Sequence, residues 1–323
     1  MTKEKYKMPR WSKIVIGIAG SLVAFLLFAW ASLSVSKYFI YDDFYRVRQE
    51  VGHIPGLNSG TTPQGLAYST TEDVYLVSSY SDEGSYLYAT GPGVDKTIAL
   101  PLYQNGEAFT GHVGGVATSG PNVYLADGGH IYFLSLGDEV LRNVNGRIDI
   151  GTGYEVNNSA SFVFANDDYL YVGEFHDAKH HYVCNHSYEN NNAIVAQYAL
   201  SDFDDYDYDG NDLITPLMNI SIRDQVQGFA IKDDGTIVLS TSYGIASSRF
   251  FIYDSSCLVD TGESLYGASL YTLSLSTSSL EAPPMMEDLD IKDNRIIVFT
   301  ESACNKYVFG KLFFADKILS LGI

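Results

Sequence analysis

Residues 111–136 read "GHVGGVATSGPNVYLADGGHIYFLSL", three short apolar runs broken by Gly, Ser, Asn and Asp. Alternation with a period of two puts successive side chains on opposite faces of a half-buried strand, and the breaks carry turn chemistry. The same grammar returns in four other places: "TPQGLAYSTTEDVYLVSSYSDEGSYLYA" from Thr62, "NSASFVFANDDYLYVGEF" from Asn158, "VQGFAIKDDGTIVLSTSYG" from Val226 and "MEDLDIKDNRIIVFTESA" from Met286. Each opens near a small or acidic residue, runs through an alternating strand, turns on residues such as Asp234-Gly235 or Asp293-Asn294, and returns as a second strand. That is a β-hairpin signature.

Aligned on Gly65, Gly115, Ser161, Gly228 and Asp288, the repeats step by 50, 46, 67 and 60 residues. Units of this size built from short strands predict propeller blades. Third strands follow at "SYLYAT", "HIYFLSL", "IVAQYAL", "RFFIYD" and "KILSLGI", and four repeats leave room for a fourth strand, such as "KTIALPL" from Lys96. The last repeat ends after its third strand, so "YRVRQEV" from Tyr45 is the expected partner that closes the ring and removes exposed sheet edges. The reading is an all-β chain, a β-propeller of five blades. The additional strand-like "SLYTLSL" from Ser269 leaves a six-bladed ring open.

The N-terminus departs from this pattern. Residues 14–36, "IVIGIAGSLVAFLLFAWASLSVS", carry no charge and follow Lys3, Lys5, Lys7, Arg10 and Lys13. That length spans a bilayer core as one transmembrane helix, and the basic flank holds its first end in the cytoplasm. The expected organisation is a basic cytoplasmic tail (1–13), a membrane anchor (14–36), a linker with the ring-closing strand (37–57) and the propeller (58–323). The remainder then lies outside the cytoplasm, single-pass and anchored in the cell membrane. Ala29-Trp30-Ala31 has the small-x-small form of a cleavage site, and cleavage after Ala31 would secrete the body instead. The apolar run continues past Ala31, which favours the uncleaved anchor.

Composition adds two constraints. Lys and Arg number 20 against 39 Asp and Glu, a net charge of -19, which repels phosphate backbones and excludes nucleic acid as a partner. Cys184, Cys257 and Cys304 are an odd count without zinc spacing and read as structural.

The stretches "PQGLAY", "GHVGGVA", "YLYVGEF", "VQGFAIKDDGTIVLSTSYG", "PPMMEDLDI" and "FTESACNKY" resemble, in that order, exported and membrane-anchored bacterial β-propeller proteins of unassigned activity. The plan is more distantly similar to lactonase-type and strictosidine-synthase-type propellers. The resemblance implies a fold and an address outside the cytoplasm, and no reaction.

In a blade the first strand begins, and the second ends, on the same face of the disc, because the two are antiparallel neighbours. The strand starts therefore predict Gln64, His112, Gln227 and Glu287 at the channel mouth, and the strand ends predict Ser78, Asp127, Glu174, Thr241 and Glu301. Such a ring has three readings: polar groups lining a water-filled channel, a calcium site built from carboxylate and carboxamide oxygens, or catalysis with His112 as general acid or base beside Glu287, Glu301 or Glu174. Gln64, Asp127 and Gln227 are the expected ligand-binding groups.

Two other stretches carry candidate chemistry. Asp205, Asp207 and Asp209 before Gly210 match the first half of an EF-hand-like calcium loop, but Pro216 stands where the bidentate Glu belongs. His176, His180, His181, Cys184 and His186 fall within eleven residues, a donor set for a transition metal, in a loop without a recognised ligand pattern. There is no nucleophile elbow, phosphate loop or HExxH motif. The expected role is binding of a ligand or protein partner at the channel mouth, with a cell-envelope protein or glycan as partner and calcium as the one candidate cofactor. The alternative is a hydrolase or lyase acting there on a small ester, lactone or glycan.

Overall fold

The computed structural model describes residues 8–179, 186–204, 208, 210, 213–307 and 316–323. It divides into two compact units, 1–42 and 43–323. In the first, one helix runs Arg10–Ile40 with no acidic residue in its first turn. Its 31 residues extend about 46 Å at the helical rise, and its most apolar window has a mean hydropathy of 2.4 with no buried residue. By length and composition it is apolar enough to cross a membrane.

The second unit is a five-bladed β-propeller. Blade 1 comprises Thr62–Ser69, Val74–Ser81, Gly84–Thr90 and Ile98–Gln104, and blade 2 comprises Gly115–Ser119, Asn122–Asp127, His130–Ser135 and Tyr154–Val156. Blade 3 comprises Phe162–Ala165, Tyr169–Gly173, Ala193–Ala199 and Met218–Ile222. Blade 4 comprises Val226–Ile231, Ile237–Thr241, Ser248–Tyr253 and Ser278–Ala282. In blade 5, Met286–Lys292, Arg295–Thr300 and Lys317–Leu321 are completed by Arg48–His53 from the other end of the chain. A short helix, Asp42–Val47, occupies the stretch before that strand, so the extended segment begins at Arg48 rather than Tyr45.

The ring has five blades and not six. The "SLYTLSL" strand is Ala268–Leu273; it pairs with Leu258–Leu265 as a hairpin and runs parallel to Met218–Ile222. The long fourth repeat thus sends two strands back onto the outer edge of blade 3 and starts no blade of its own. The predicted turns have the required backbone: Asp293 (φ 51°) and Asn294 (φ 56°) are both left-handed, as a two-residue hairpin loop demands.

The core lies between blades. Leu76, Leu87 and Leu100 of blade 1 pack with Val116, Leu125 and Leu134 of blade 2, and Leu66 and Val77 pack with Ile297, Phe299 and Ile318 of blade 5. At the axis the repeat's small residues let inner strands meet backbone to backbone. A Cβ on Gly65 would fall 2.5 Å from Val116 N, and one on Gly115 2.5 Å from Val163 N. In blade 5 the equivalent residue is Asp288, fully buried, whose carboxylate accepts from Leu66 N (3.3 Å) and Leu289 N (2.9 Å).

Candidate functional site at the mouth of the ring

Three inner strands carry a register irregularity near their first residues: between Pro63 and Leu66, Val226 and Gly228, and Met286 and Leu289. A bulge re-aims a side chain, and the residues inside these include Gln64, Gln227 and Glu287. Left-handed backbone precedes four of the inner strands, at Val113 (φ 46°), Ala160 (47°), Gln225 (64°) and Met285 (66°). This conformation costs a β-branched residue such as Val113 most. It is held from outside: Ser78 Oγ donates to Val113 O (2.7 Å), Ser242 N to Gln225 O (3.0 Å) and Glu301 N to Met285 O (3.0 Å).

These devices open a cavity of about 660 Å³ to which every blade contributes. Of the expected residues it brings together Gln64, His112, Asp127, Gln227, Glu287 and Glu301. Three lie elsewhere. Ser78 is buried and accepts from Gly65 N while holding Val113. Thr241 Oγ1 donates to Arg249 O within its own sheet. Glu174 is the correction: it is 3 % exposed and absent from the cavity wall, because its carboxylate turns into blade 3 to accept from Ile194 N (3.2 Å).

Within the cavity the polar groups form a chain. His112 Nε2 lies 2.6 Å from Gln64 Oε1, and Gln64 Nε2 donates to Glu301 Oε2 at 3.0 Å. With the amide donating to the carboxylate, its oxygen must accept, so His112 carries its proton on Nε2. Glu301 also pairs with the Tyr307 hydroxyl and the Glu287 carboxyl. Burial, then repulsion from Glu301 and Asp288, raises Glu287 well above the usual carboxyl range. Burial also pushes Glu301 up to about 7, opposed by Tyr307, Lys306 and Gln64. Hydrogen-bonded to each other, the two carboxyl groups titrate as a pair and hold a proton to higher pH than an ordinary carboxyl group. The walls strip water from His112 and lower its pKa, against the pull of Asp127. The ring itself rests on Tyr80, centroids 4.2 Å apart. Asp127 Oδ1 accepts from Val113 N at 2.9 Å.

The aromatic lining, Tyr80, Phe175, Tyr243 and Tyr307, was missed. Phe175 and Tyr243 follow Glu174 and Thr241 just past the ends of their strands, and Tyr80 follows Ser78 within Val74–Ser81. Position was the available signal; residue type was not, among 25 tyrosines.

The remaining candidates separate. Asp205, Asp207 and Asp209, and likewise His180, His181 and Cys184, lie outside the described residues. His176 Nδ1 sits 3.1 Å from Asp224 Oδ2, and His186 Nε2 sits 3.0 Å from Ser221 Oγ. Among the described residues no three His, Cys, Asp or Glu are grouped to hold a metal ion.

No family model matches the chain, and no curated protein matches it. Solved structures do. The PQQ-bound aldose sugar dehydrogenase of Streptomyces coelicolor is 10% identical over 85% of this chain and 96% of that one, with a TM-score of 0.44. The Dos1 propeller is 11% identical over 79% and 72%, with a TM-score of 0.35. A chain of Kuenenia stuttgartiensis hydrazine synthase is 11% identical over 73% of this chain, with a TM-score of 0.40, and this chain covers only 55% of it. The likeness is one of fold.

Proposed function

We propose that the protein is a membrane-anchored, extracytoplasmic binding module that takes a small polar molecule into the mouth cavity of its propeller. The observation that carries this reading is convergence: one cavity of about 660 Å³ receives side chains from all five blades, among them two carboxamides, three carboxyl groups and a histidine. A concave site with apolar walls and a few convergent polar groups is how small-molecule sites are built. The five basic residues before the uncharged run 14–36 support this orientation. Cell-envelope material is the accessible source of ligand on that side.

The test is a thermal-unfolding screen of the full-length chain in detergent, against amines, alcohols, saccharides, lactones and calcium. A ligand that binds only the folded state at a hundred times its dissociation constant adds about 2.7 kcal/mol. The expected result is a stabilising compound whose effect disappears in Ser161→Trp, which fills the cavity from its wall. A screen without a hit, or a hit indifferent to Ser161→Trp, would overturn the reading.

One observation favours the hydrolase or lyase alternative. The His112–Gln64–Glu301–Glu287 chain puts a neutral imidazole and a protonated carboxyl on one cavity, a base and an acid ready for use near neutral pH. It predicts that an ester, lactone or glycoside among the hits is consumed, and that His112→Ala abolishes turnover while leaving the ligand bound. Unaltered hits after long incubation leave the protein a binding module.

A further inference from the structure

Resting on the cavity reading above, we infer that the ligand is an organic ammonium ion, with its charged head on the Glu287–Glu301 pair and its apolar body against the Phe175–Tyr243 wall.

The lining decides the charge. Asp127, Glu287 and Glu301 face the cavity, no Lys or Arg is among its described lining residues, and His112 is held toward its neutral form. The site is therefore anionic in a protein of net charge -19, and an anionic ligand is repelled at both scales. A neutral molecule gains only ordinary hydrogen bonds there. An ammonium gains more, because it takes the place of a proton that the two carboxyl groups hold and lets both ionise around it. The walls suit the rest of such a ligand: Phe175 and Tyr243 stack at 6.4 Å with planes 26° apart, and ring faces attract cations.

The chain supplies its own precedent. Lys306, outside the lining, donates from its ammonium to the Tyr80 hydroxyl and lies 5.5 Å from the centroid of Tyr307, whose hydroxyl bonds Glu301. Its charge favours the ionised form of Glu301, so the acid pair already responds to an ammonium.

A bare divalent cation is served less well. Calcium needs six to eight oxygens converging at about 2.3–2.6 Å. Glu301 is engaged by Glu287, Gln64 and Tyr307, and Asp127 is engaged by Val113 N. The donors are spread around a volume suited to a molecule.

Benzylammonium and its isostere benzyl alcohol, titrated calorimetrically into the full-length chain at pH 6 and pH 8, test the inference. The groups that titrate around the pair are Glu287, Glu301, Asp288, Asp127, His112, Cys304, Lys306 and Tyr307. The expected result is at least tenfold tighter binding of the ammonium than of the alcohol, stronger at pH 8, with a proton released to the buffer. Glu301→Gln should weaken the ammonium at least tenfold and leave the alcohol unchanged, and Phe175→Leu should weaken it severalfold without touching the acids. Equal binding of the pair, or a saccharide bound in preference, would overturn the ammonium class and leave the cavity reading intact. Stabilisation by calcium alone, lost in Glu301→Gln, would overturn it in favour of a metal. Failure of every compound would overturn both readings.

Discussion

Asp290 shows what a single half-buried carboxyl does to this protein. It accepts from Tyr68 N (2.6 Å) and Ile291 N (2.7 Å), yet burial outweighs both bonds and pushes its pKa up to about 7. Asp288, Glu287 and Glu301 are raised for the same first cause. A carboxyl whose folded pKa lies above its unfolded value binds more protons folded than unfolded, so it disfavours folding as pH rises between the two. Stability should therefore fall from about pH 4 through pH 7, the reverse of ordinary acid denaturation. Exposed Asp73, Asp234 and Asp254 are shifted downward and oppose this only weakly, being screened by solvent. Thermal unfolding should give a higher midpoint at pH 5 than at pH 8, and Asp290→Asn should flatten the difference; an unchanged slope would remove Asp290 from the explanation. At this scale strand ends were readable, because acids and amides beside small residues mark where strands leave the sheet. What brings Gln64, Gln227 and Glu287 into the mouth was not, since a bulge adds a residue without a composition of its own. Nor could Glu174 be told from Glu301: the two stand at matching strand ends, and Glu174 turns away to accept from the backbone N–H of Ile194.

The hairpin formed by Leu258–Leu265 and Ala268–Leu273 lies on the outer edge of blade 3. Its second strand lies between the first and the blade 3 edge strand Met218–Ile222, and Asn219 Nδ2 donates to Leu265 O across it (2.8 Å). An edge strand left bare is a template for unwanted pairing, and this hairpin covers it. Leu270, 2 % exposed, is its anchor, whereas Val259 on the outer strand is 45 % exposed. Leu270→Ala should cost about 2–5 kcal/mol in denaturant unfolding, and Val259→Ala less than about 0.5. Equal effects would mean that the hairpin does not pack on blade 3. Strand existence was legible here from alternation alone. Destination was not: "SLYTLSL" has the pattern of any strand, and its parallel partner stands about fifty residues earlier in the chain.

Across the whole molecule, the ring is shut by joining its two ends. Arg48–His53 pairs antiparallel with Lys317–Leu321, and Arg295 ties the join by donating to Ser320 Oγ (2.8 Å), Ser320 O (3.2 Å) and Val47 O (3.1 Å). Hydrogen bonds from a charged group are the stronger kind, so Arg295→Ala should cost roughly 2 kcal/mol. Arg142→Ala, which breaks an exposed pair with Asp138, should cost under about 0.5. Comparable losses would show that the closure is not under load. Closure matters to the site because Glu287 and Glu301 belong to the blade it completes, while Gln64 and His112 belong to the next two. The acid pair is thus where fold and proposed function meet, and it can be observed directly. With ¹³C-labelled glutamate carboxyl groups and Glu301→Gln for assignment, the full-length chain can be titrated by NMR. The expected result is Glu301 losing its proton near pH 7 and Glu287 titrating above the ordinary carboxyl range, both moving lower when benzylammonium saturates the cavity. Glu287 and Glu301 both titrating in the ordinary range, around ~4.3, would contradict it.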